Sequence, residues 1–443
     1  MIPERFKPLL DETGWLTERF EPAGHRLYLV GGVVRDAVLN RLRPDADLDL
    51  TTSARPEEIK ALVAPGADAI WDQGQRFGTI GVQFGGRRYE ITTHRAEAYV
   101  PESRHPEVQF SHEVEADLSR RDFTVNAMAI RLPDMAMVDP FDGVGDLAAA
   151  RLRTPLSPEE SFSDDPLRML RAARFIAGYG LAPAASVPAA VEKLGDRLEI
   201  VSAERIRAEL DKLITVEHPT EGLRFLVATG LADHFLPELA GMALEQDPVH
   251  HHKDVLEHTY AVVEKVGPDH RLVRLAALFH DVGKPRTRTF GPGGVSFHHH
   301  EVVGARMTRA RMRALRYPSD EVAAVTRLVE LHLRFHGYRE GDGGWTDSAV
   351  RRYVRDAGPL LDELNELTRC DCTTRNVNRA HALARRMDEL EERIARLQEE
   401  EELAALRPDI DGTRVMAHLG IPPGPVVGQA LAHLLELRIE EGP

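Results

Sequence analysis

The stretch Leu29 to Leu50, LVGGVVRDAVLNRLRPDADLDL, restricts what this chain can fold into more than any other. An apolar run from Leu27 to Val30 enters the glycine pair Gly31-Gly32, and a helical pattern carrying Arg35 and Asp36 follows at once. Apolar residues that stop at glycine and resume with helical spacing predict a strand, a tight turn and a helix. Such a junction can hold a phosphate, because glycine lets the backbone come close and the N–H groups that open a helix lack partners. Asp47 and Asp49 come next, at i and i+2. On a strand both point to one face, where two carboxylates can hold Mg²⁺ between a nucleotide triphosphate and an attacking hydroxyl. Either feature alone fits an ordinary turn or a pair of solvated acids. Together, and in this order, they predict nucleotidyl transfer.

Composition sets the outer limits. The 443 residues can bury several cores, roughly two to four domains. No apolar run reaches membrane-spanning length, and the N-terminus has neither a signal peptide's apolar core nor a transit peptide's acid-poor composition. The two cysteines, Cys370 and Cys372, stand too close together to staple a fold, which fits a reducing cytoplasm. A formal charge of −15 argues against a surface coated with non-specific nucleic-acid contacts, yet it leaves room for a local basic groove.

Along the chain, Phe6, Leu9 and Leu10 suggest a short amphipathic helix before residue 25, and Pro56-Glu57-Glu58 opens another. Residues 78–84 and 87–93 alternate around Gly85-Gly86, which predicts a hairpin. Glu90 lies between Tyr89 and Ile91 on the return strand and faces away from the apolar side, so it is the candidate third carboxylate. Residues 94–119 show weak periodicity and predict a mobile loop. Arg120-Arg121-Asp122 follows, with cations that can reach phosphates, and Asp139 to Gly143 is turn chemistry that closes the sheet region near residue 150.

Beyond that point the pattern is helical. DDPLRMLRAARF, residues 164–175, sets Arg168, Arg171 and Arg174 along a helix opposite Leu167, Leu170 and Phe175. Asp165 and Arg168, one turn apart, can offer an acceptor and donors to a base edge, or simply pair with each other.

LVGGVVRD, the Asp47/Asp49 pair, RRDFTVNAMA and DDPLRMLRAARF, in this order, resemble the class II tRNA nucleotidyltransferases, the CCA-adding enzymes of the polymerase-beta-like superfamily. The resemblance implies that Asp47 and Asp49 bind catalytic Mg²⁺, with Gly31, Gly32 and Arg35 near the triphosphate. It also implies that Arg121, Asp165 and Arg168 select CTP and then ATP without a nucleic-acid template; Arg171 and Arg174 are further candidate nucleotide-binding residues. Arg104-His105-Pro106 sits where the family has the flexible loop used in switching to ATP. One departure is Asp164, where glutamate is more usual, so it is assigned no role.

The second half carries His258, then Leu278 to Lys284 (LFHDVGK), then His298-His299-His300-Glu301, His332 and Asp371. Imidazoles and carboxylates drawn from successive helices suit a divalent metal. The pattern resembles the HD metal-dependent phosphohydrolase domain. His258, His280, Asp281 and Asp371 match its basic ligand set, and His300 and His332 match the extra histidines of its two-metal members. Residues 302–339 are rich in arginine and offer an RNA-backbone surface, and 382–406 reads as a charged amphipathic helix, either a packed tail or a dimer helix.

The expected fold is therefore α+β: a small-sheet polymerase-beta-like head (1–153), a helical neck with base and RNA contacts (154–245), an HD metal domain (246–380) and a helical tail (381–443). The expected activity is Mg²⁺-dependent addition of CCA to the tRNA 3′ end from CTP and ATP. Rivals are a poly(A) polymerase, an enzyme adding only CC or only A, a metal phosphohydrolase of nucleotides or RNA ends, and a non-catalytic RNA binder.

Overall fold

The structure is a computed structural model. It describes residues 6–441 apart from 45, 73, 76–77, 99–106, 245–253, 292–293, 338–344, 374–375, 402–407 and 409. The chain forms two compact units, Met1–Ser202 with Ala228–His234, and Ala203–Val227 with Phe235–Pro443.

The first unit is built on a sheet of strands β1 (Leu27–Val30), β2 (Leu48–Thr52), β3 (Ala69–Trp71), β4 (Thr79–Phe84), β5 (Arg87–Thr93), β8 (Ala129–Leu132) and β9 (Ala136–Val138). Their spatial order is β3-β4-β5-β2-β1-β8-β9. β1 is buried on both faces, as its uninterrupted apolar run requires. Leu27 and Leu29 join the core formed with helices α1 (Lys7–Phe20) and α3 (Pro56–Val63), through Leu9, Leu16, Phe20, Ile59 and Val63. Tyr28 and Val30 face the other way, onto Val114 and Leu118 of α4 (Val114–Ser119) and onto Ala127 and Ala129. The helix α2 (Gly32–Val38) starts directly from β1. The β4–β5 hairpin turns at Gly85 and Gly86, both at positive φ (57° and 80°), the conformation that a two-residue turn between twisted strands needs.

Two expectations about local structure are corrected. Residues 94–119 are not one loop: β6 (Arg95–Ala98) pairs antiparallel with β7 (Glu107–Phe110), and α4 follows. The ribbon pairs outside the main sheet, so the alternation that marks the sheet strands does not extend to it. The Arg104-His105-Pro106 segment lies outside the described residues. Strands also do not end at residue 150, since Arg151–Leu152 pairs with Ala182–Pro183 and Thr289–Gly291 pairs with Gly294–Ser296 in short ribbons. The ribbons are too brief for periodicity to register.

From α6 (Pro158–Asp164) and α7 (Leu167–Tyr179) onward the chain is mainly helical. Ser157 and Glu160 form a reciprocal capping box at the start of α6. Leu167, Leu170 and Phe175 of α7 are buried, as their spacing requires. In the second unit, helices 255–265, 271–279, 300–314, 319–331 and 361–371 surround the histidine cluster, and Val377–Glu401 is one long helix. Met387, Leu390, Ile394 and Leu397 form its buried stripe, so this helix is packed within its own unit.

Candidate active site and metal centre

β2 and β5 run parallel with Asp49 opposite Glu90. Cross-strand partners share a face, so the strand pairing places the two carboxylates side by side. Asp47, two residues earlier, is exposed on the approach to β2. Burial raises the Asp49 carboxyl to about 6; Arg121 opposes the rise, and the carboxylates of Glu90 and Asp47 add to it. A cluster of acids that repel one another and are partly withdrawn from water is one that a divalent cation would relieve. The residues present therefore fit Mg²⁺.

Gly31 turns at φ 74°. A Cβ at that position would lie 3.0 Å from an Arg121 guanidinium nitrogen and 3.5 Å from Asp49 Oδ2. Glycine is thus what allows the cation and the carboxylate to close over the turn. Asp117, one helical turn before Arg121, holds that guanidinium at 3.2 Å and also accepts the backbone N–H of Arg95. The i,i+4 spacing was the only sequence signal for this partner. A cleft of about 650 Å³ beside Asp47 and Glu90 is further lined by Trp71, Thr79, Gly81, Arg88 and Arg95.

The remaining head residues fall in different places. Arg121 lies with Asp49 and Gly31, whereas Arg168 donates to Ser161 Oγ (3.0 Å) and to the carbonyl of Arg120. Arg168 thus reaches the backbone next to Arg121, and the Asp165 carboxylate acts on it electrostatically. Asp165 accepts the N–H of Leu167, the first residue of α7, at 3.2 Å. Arg35 lies beside the glycine turn, where a Cβ at Gly32 would come within 3.4 Å of its guanidinium. It is buried, its guanidinium bonds Asp36 (2.9 Å) and Asn126 (2.6 Å), and it stacks over Tyr179 at 4.2 Å, so it braces α2 to its surroundings. Arg171 pairs with Asp122, whose carboxyl it holds down at about 2 against the effect of burial. Arg174 stacks over Phe175 at 4.8 Å. Gly32 begins α2.

In the second unit the six predicted ligands converge in two triplets, His258/His280/Asp371 and Asp281/His300/His332. Asp281 joins them: its Oδ2 lies 3.2 Å from His280 Nε2 and 3.6 Å from His258 Nε2, and its Oδ1 lies 3.4 Å from His300 Nε2. The imidazoles are fixed from behind. Nδ1–H of His280, His300 and His332 donates to the carbonyls of Ala277, Phe297 and Val329 at 2.7, 2.8 and 2.6 Å. A carbonyl can only accept, so each neutral ring turns its Nε2 lone pair inward. His280 and His332 close helix C-termini, where carbonyls lack partners. Nε2 atoms then face each other at 3.2 Å (His258/His280) and 3.3 Å (His300/His332). Two lone pairs repel at that distance unless a proton or a metal ion stands between them, so the donor set fits a metal. Burial opposes a charge on His280, but Asp281 and Asp371 raise it, while burial pushes His332 down to about 3. Lys284, which sequence reasoning did not single out as a site residue, pairs with Asp281 at 2.6 Å, and Thr373 bonds His258 Nδ1 at 2.7 Å.

Comparison with known proteins gives three family matches: the "Poly A polymerase head domain" over residues 27–153, the "Probable RNA and SrmB- binding site of polymerase A" over 180–242, and the "HD domain" over 249–401. A curated relative from Deinococcus radiodurans, an A-adding tRNA nucleotidyltransferase, is 35% identical over 424 residues, 93% of this chain and 91% of that one.

The chain belongs to the tRNA nucleotidyltransferases.

Within this family, the CCA-adding enzyme of Leuconostoc citreum is 40% identical over 223 residues, 50% of this chain and 53% of that one. The chain thus spans about half the length of that relative. The fold is that of the Bacillus stearothermophilus CCA-adding enzyme solved in complex with CTP, with a TM-score of 0.70 at 24% identity over 99% of this chain and 94% of that one. The polymerase head followed by a helical HD region matches the expected α+β class. No helix among the described residues is long and apolar enough to cross a membrane.

Proposed function

We propose that this tRNA nucleotidyltransferase adds CCA to tRNA 3′ ends in the cytoplasm, drawing on CTP and ATP. The observation that carries the proposal is the carboxylate pair Asp49 and Glu90 in register on adjacent strands, with Gly31 and Arg121 closing over Asp49. Asp47 and Asp49, with Glu90, would hold Mg²⁺, which supplies charge neutralisation at the transferred phosphoryl group and a lowered pKa for the attacking hydroxyl. Arg121 presents cationic donors to the triphosphate beside the Gly31-Gly32 turn, and Asp117 keeps it aimed. Asp165 and Arg168 read the base, and a mismatched base would leave their polar groups unpaired. Head (1–153), neck (154–245), HD domain (246–380) and tail (381–443) divide the labour, with tRNA held outside the head through the neck.

His258, His280, Asp281, His300, His332 and Asp371 would hold a divalent transition metal, with Asp281 shared between the two triplets. The metal would supply Lewis acidity to a bound phosphoester.

Extension of tRNA ending at the discriminator base, with CTP alone, ATP alone or both, tests the transfer proposal. Two additions with CTP and a third only when ATP is present establish CCA addition. The near full-length similarity to the Deinococcus A-adding enzyme favours one alternative, addition of A alone. In that case only tRNA already ending in CC is extended.

A further inference from the structure

The strand registers place four residues in one transverse row of the head sheet. Asp49 of β2 lies opposite Glu90 of β5, Glu90 opposite Gly81 of β4, and Gly81 opposite Trp71 of β3. Partners across neighbouring strands share a face, so the Trp71 indole stands on the same face as the catalytic carboxylates. A Cβ at Gly81 would meet the Trp71 ring at 3.1 Å. The missing side chain is therefore what lets the indole lean over β4 toward Glu90. Trp71 remains 39% exposed, unusual for an indole, and it lines the 650 Å³ cleft together with Arg88 and Arg95. The Arg88 guanidinium lies 5.9 Å from the Trp71 ring centre and is exposed. Arg95 donates to Thr79 Oγ1 at 3.0 Å, but its buried Nε has no acceptor among the described residues.

Asp49 thus stands between two different surroundings. On the β1 side are Gly31 and Arg121; on the β5 side are Glu90, Gly81, Trp71, Arg88 and Arg95. Nucleotidyl transfer is an in-line displacement: the 3′-oxygen forms a bond to the α-phosphorus as the bond to the pyrophosphate oxygen breaks, and the hydroxyl proton leaves to solvent. The attacking oxygen therefore lies on the side of the α-phosphorus opposite the pyrophosphate. With the triphosphate at Gly31 and Arg121, the cleft over β5, β4 and β3 is left for the acceptor. Three strand spacings separate Asp49 from Trp71, roughly 14 Å, enough for a terminal ribose at the carboxylates with its base extending toward the indole.

We propose that Trp71, Arg88 and Arg95 form the subsite for the 3′-terminal nucleotide of the RNA acceptor. Trp71 stacks on its base, and the two arginines take the phosphate that precedes it. Stacking suits an end that changes as it grows, because every base has a π-face. The proposal rests on the transfer activity argued above.

The test is steady-state transfer by Trp71→Ala, Trp71→Phe and Arg88→Ala, each verified as folded by circular dichroism. KM is measured for the tRNA acceptor and for CTP or ATP separately. The expected result is an acceptor KM raised roughly tenfold in Trp71→Ala, largely restored in Trp71→Phe, raised in Arg88→Ala, and an unchanged nucleotide KM in all three. A raised nucleotide KM with an unchanged acceptor KM would overturn the proposal and give the cleft to the incoming base; no change in either would also overturn it. If the wild-type protein extends no RNA, the transfer proposal fails on its own. The subsite is then judged by anisotropy of a labelled oligoribonucleotide ending in CC, where weaker binding by Trp71→Ala than by wild type upholds it and equal binding overturns it.

Discussion

The two acidic centres of this molecule are built on opposite principles. In the head, Asp47 is exposed, Asp49 is partly buried, and the cleft beside them is open. In the histidine centre, His280, Asp281, His300 and His332 are all buried, and every imidazole has its outer nitrogen hydrogen-bonded. A transferase must admit a triphosphate and an RNA end at each addition, so its carboxylates are left incomplete until the substrates supply further oxygens. The histidine centre would bring six ligands of its own, with its imidazoles held from behind by backbone carbonyls and Thr373. Only the second centre is assembled by the fold alone.

Breaking the head tests this contrast most severely. Asp49→Ala is expected to lower transfer by about 10³-fold or more while leaving the circular dichroism spectrum unchanged; substantial residual turnover by the folded variant would remove Asp49 from the metal site. Breaking the other centre should do the reverse. Asp281→Asn is expected to strip bound transition metal, read by elemental analysis of the purified protein, and to leave the transfer rate within about twofold of wild type, because sites without shared partners behave additively.

A smaller effect sharpens the specificity argument. Asp165→Ala should lower discrimination of CTP from GTP by roughly 10- to 100-fold, with little change in pyrophosphate inhibition. Unchanged discrimination would remove Asp165 from base reading.

Two pH effects complete the contrast. Asp49, raised to about 6, holds its proton more tightly than a free carboxylate. Protons should therefore compete with Mg²⁺ as pH falls toward and below that value, and the Mg²⁺ concentration needed for half-maximal transfer should climb. An Mg²⁺ requirement flat from pH 8 to 5.5 would contradict this. Beneath the same sheet, His94 is buried, bonded to Thr51 at 2.8 Å, and lowered by burial to about 4. The unfolded state takes up this proton near pH 6.5 and the folded state only near 4, so stability should fall as pH drops through that window, on the order of 3 kcal/mol. Protection factors of the β2 and β5 amides in the intact chain, corrected for the intrinsic pH dependence of exchange, should fall over that range, and His94→Gln should flatten the dependence.

Much of the head was legible because its signals are local. The strand, glycine turn and helix of residues 27–38 follow from an apolar run stopped by Gly31, and the face of Glu90 followed from simple alternation between Tyr89 and Ile91. What alternation could not supply was which strand lies next to which. The parallel pairing that puts Glu90 beside Asp49, and Trp71 in the same row, is long-range. Arg35 and Arg121 each have one partner close in sequence, Asp36 and Asp117, but the bond from Arg35 to Asn126 and the approach of Arg121 to Gly31 join residues about 90 positions apart, which no local pattern marks. The six ligands of the second centre were legible as residue types. Their orientation was not, because the groups that fix three of the rings are backbone carbonyls, which every residue carries and no sequence pattern marks.

The most direct test of the whole account is transfer onto one tRNA, ending at the discriminator base or at CC, by wild type, Asp49→Asn and Asp281→Asn side by side at single-nucleotide resolution. The account predicts matching ladders for wild type and Asp281→Asn and no extension by Asp49→Asn. Extension by Asp49→Asn, or its loss in a folded Asp281→Asn, would contradict the assignment of transfer to the head alone.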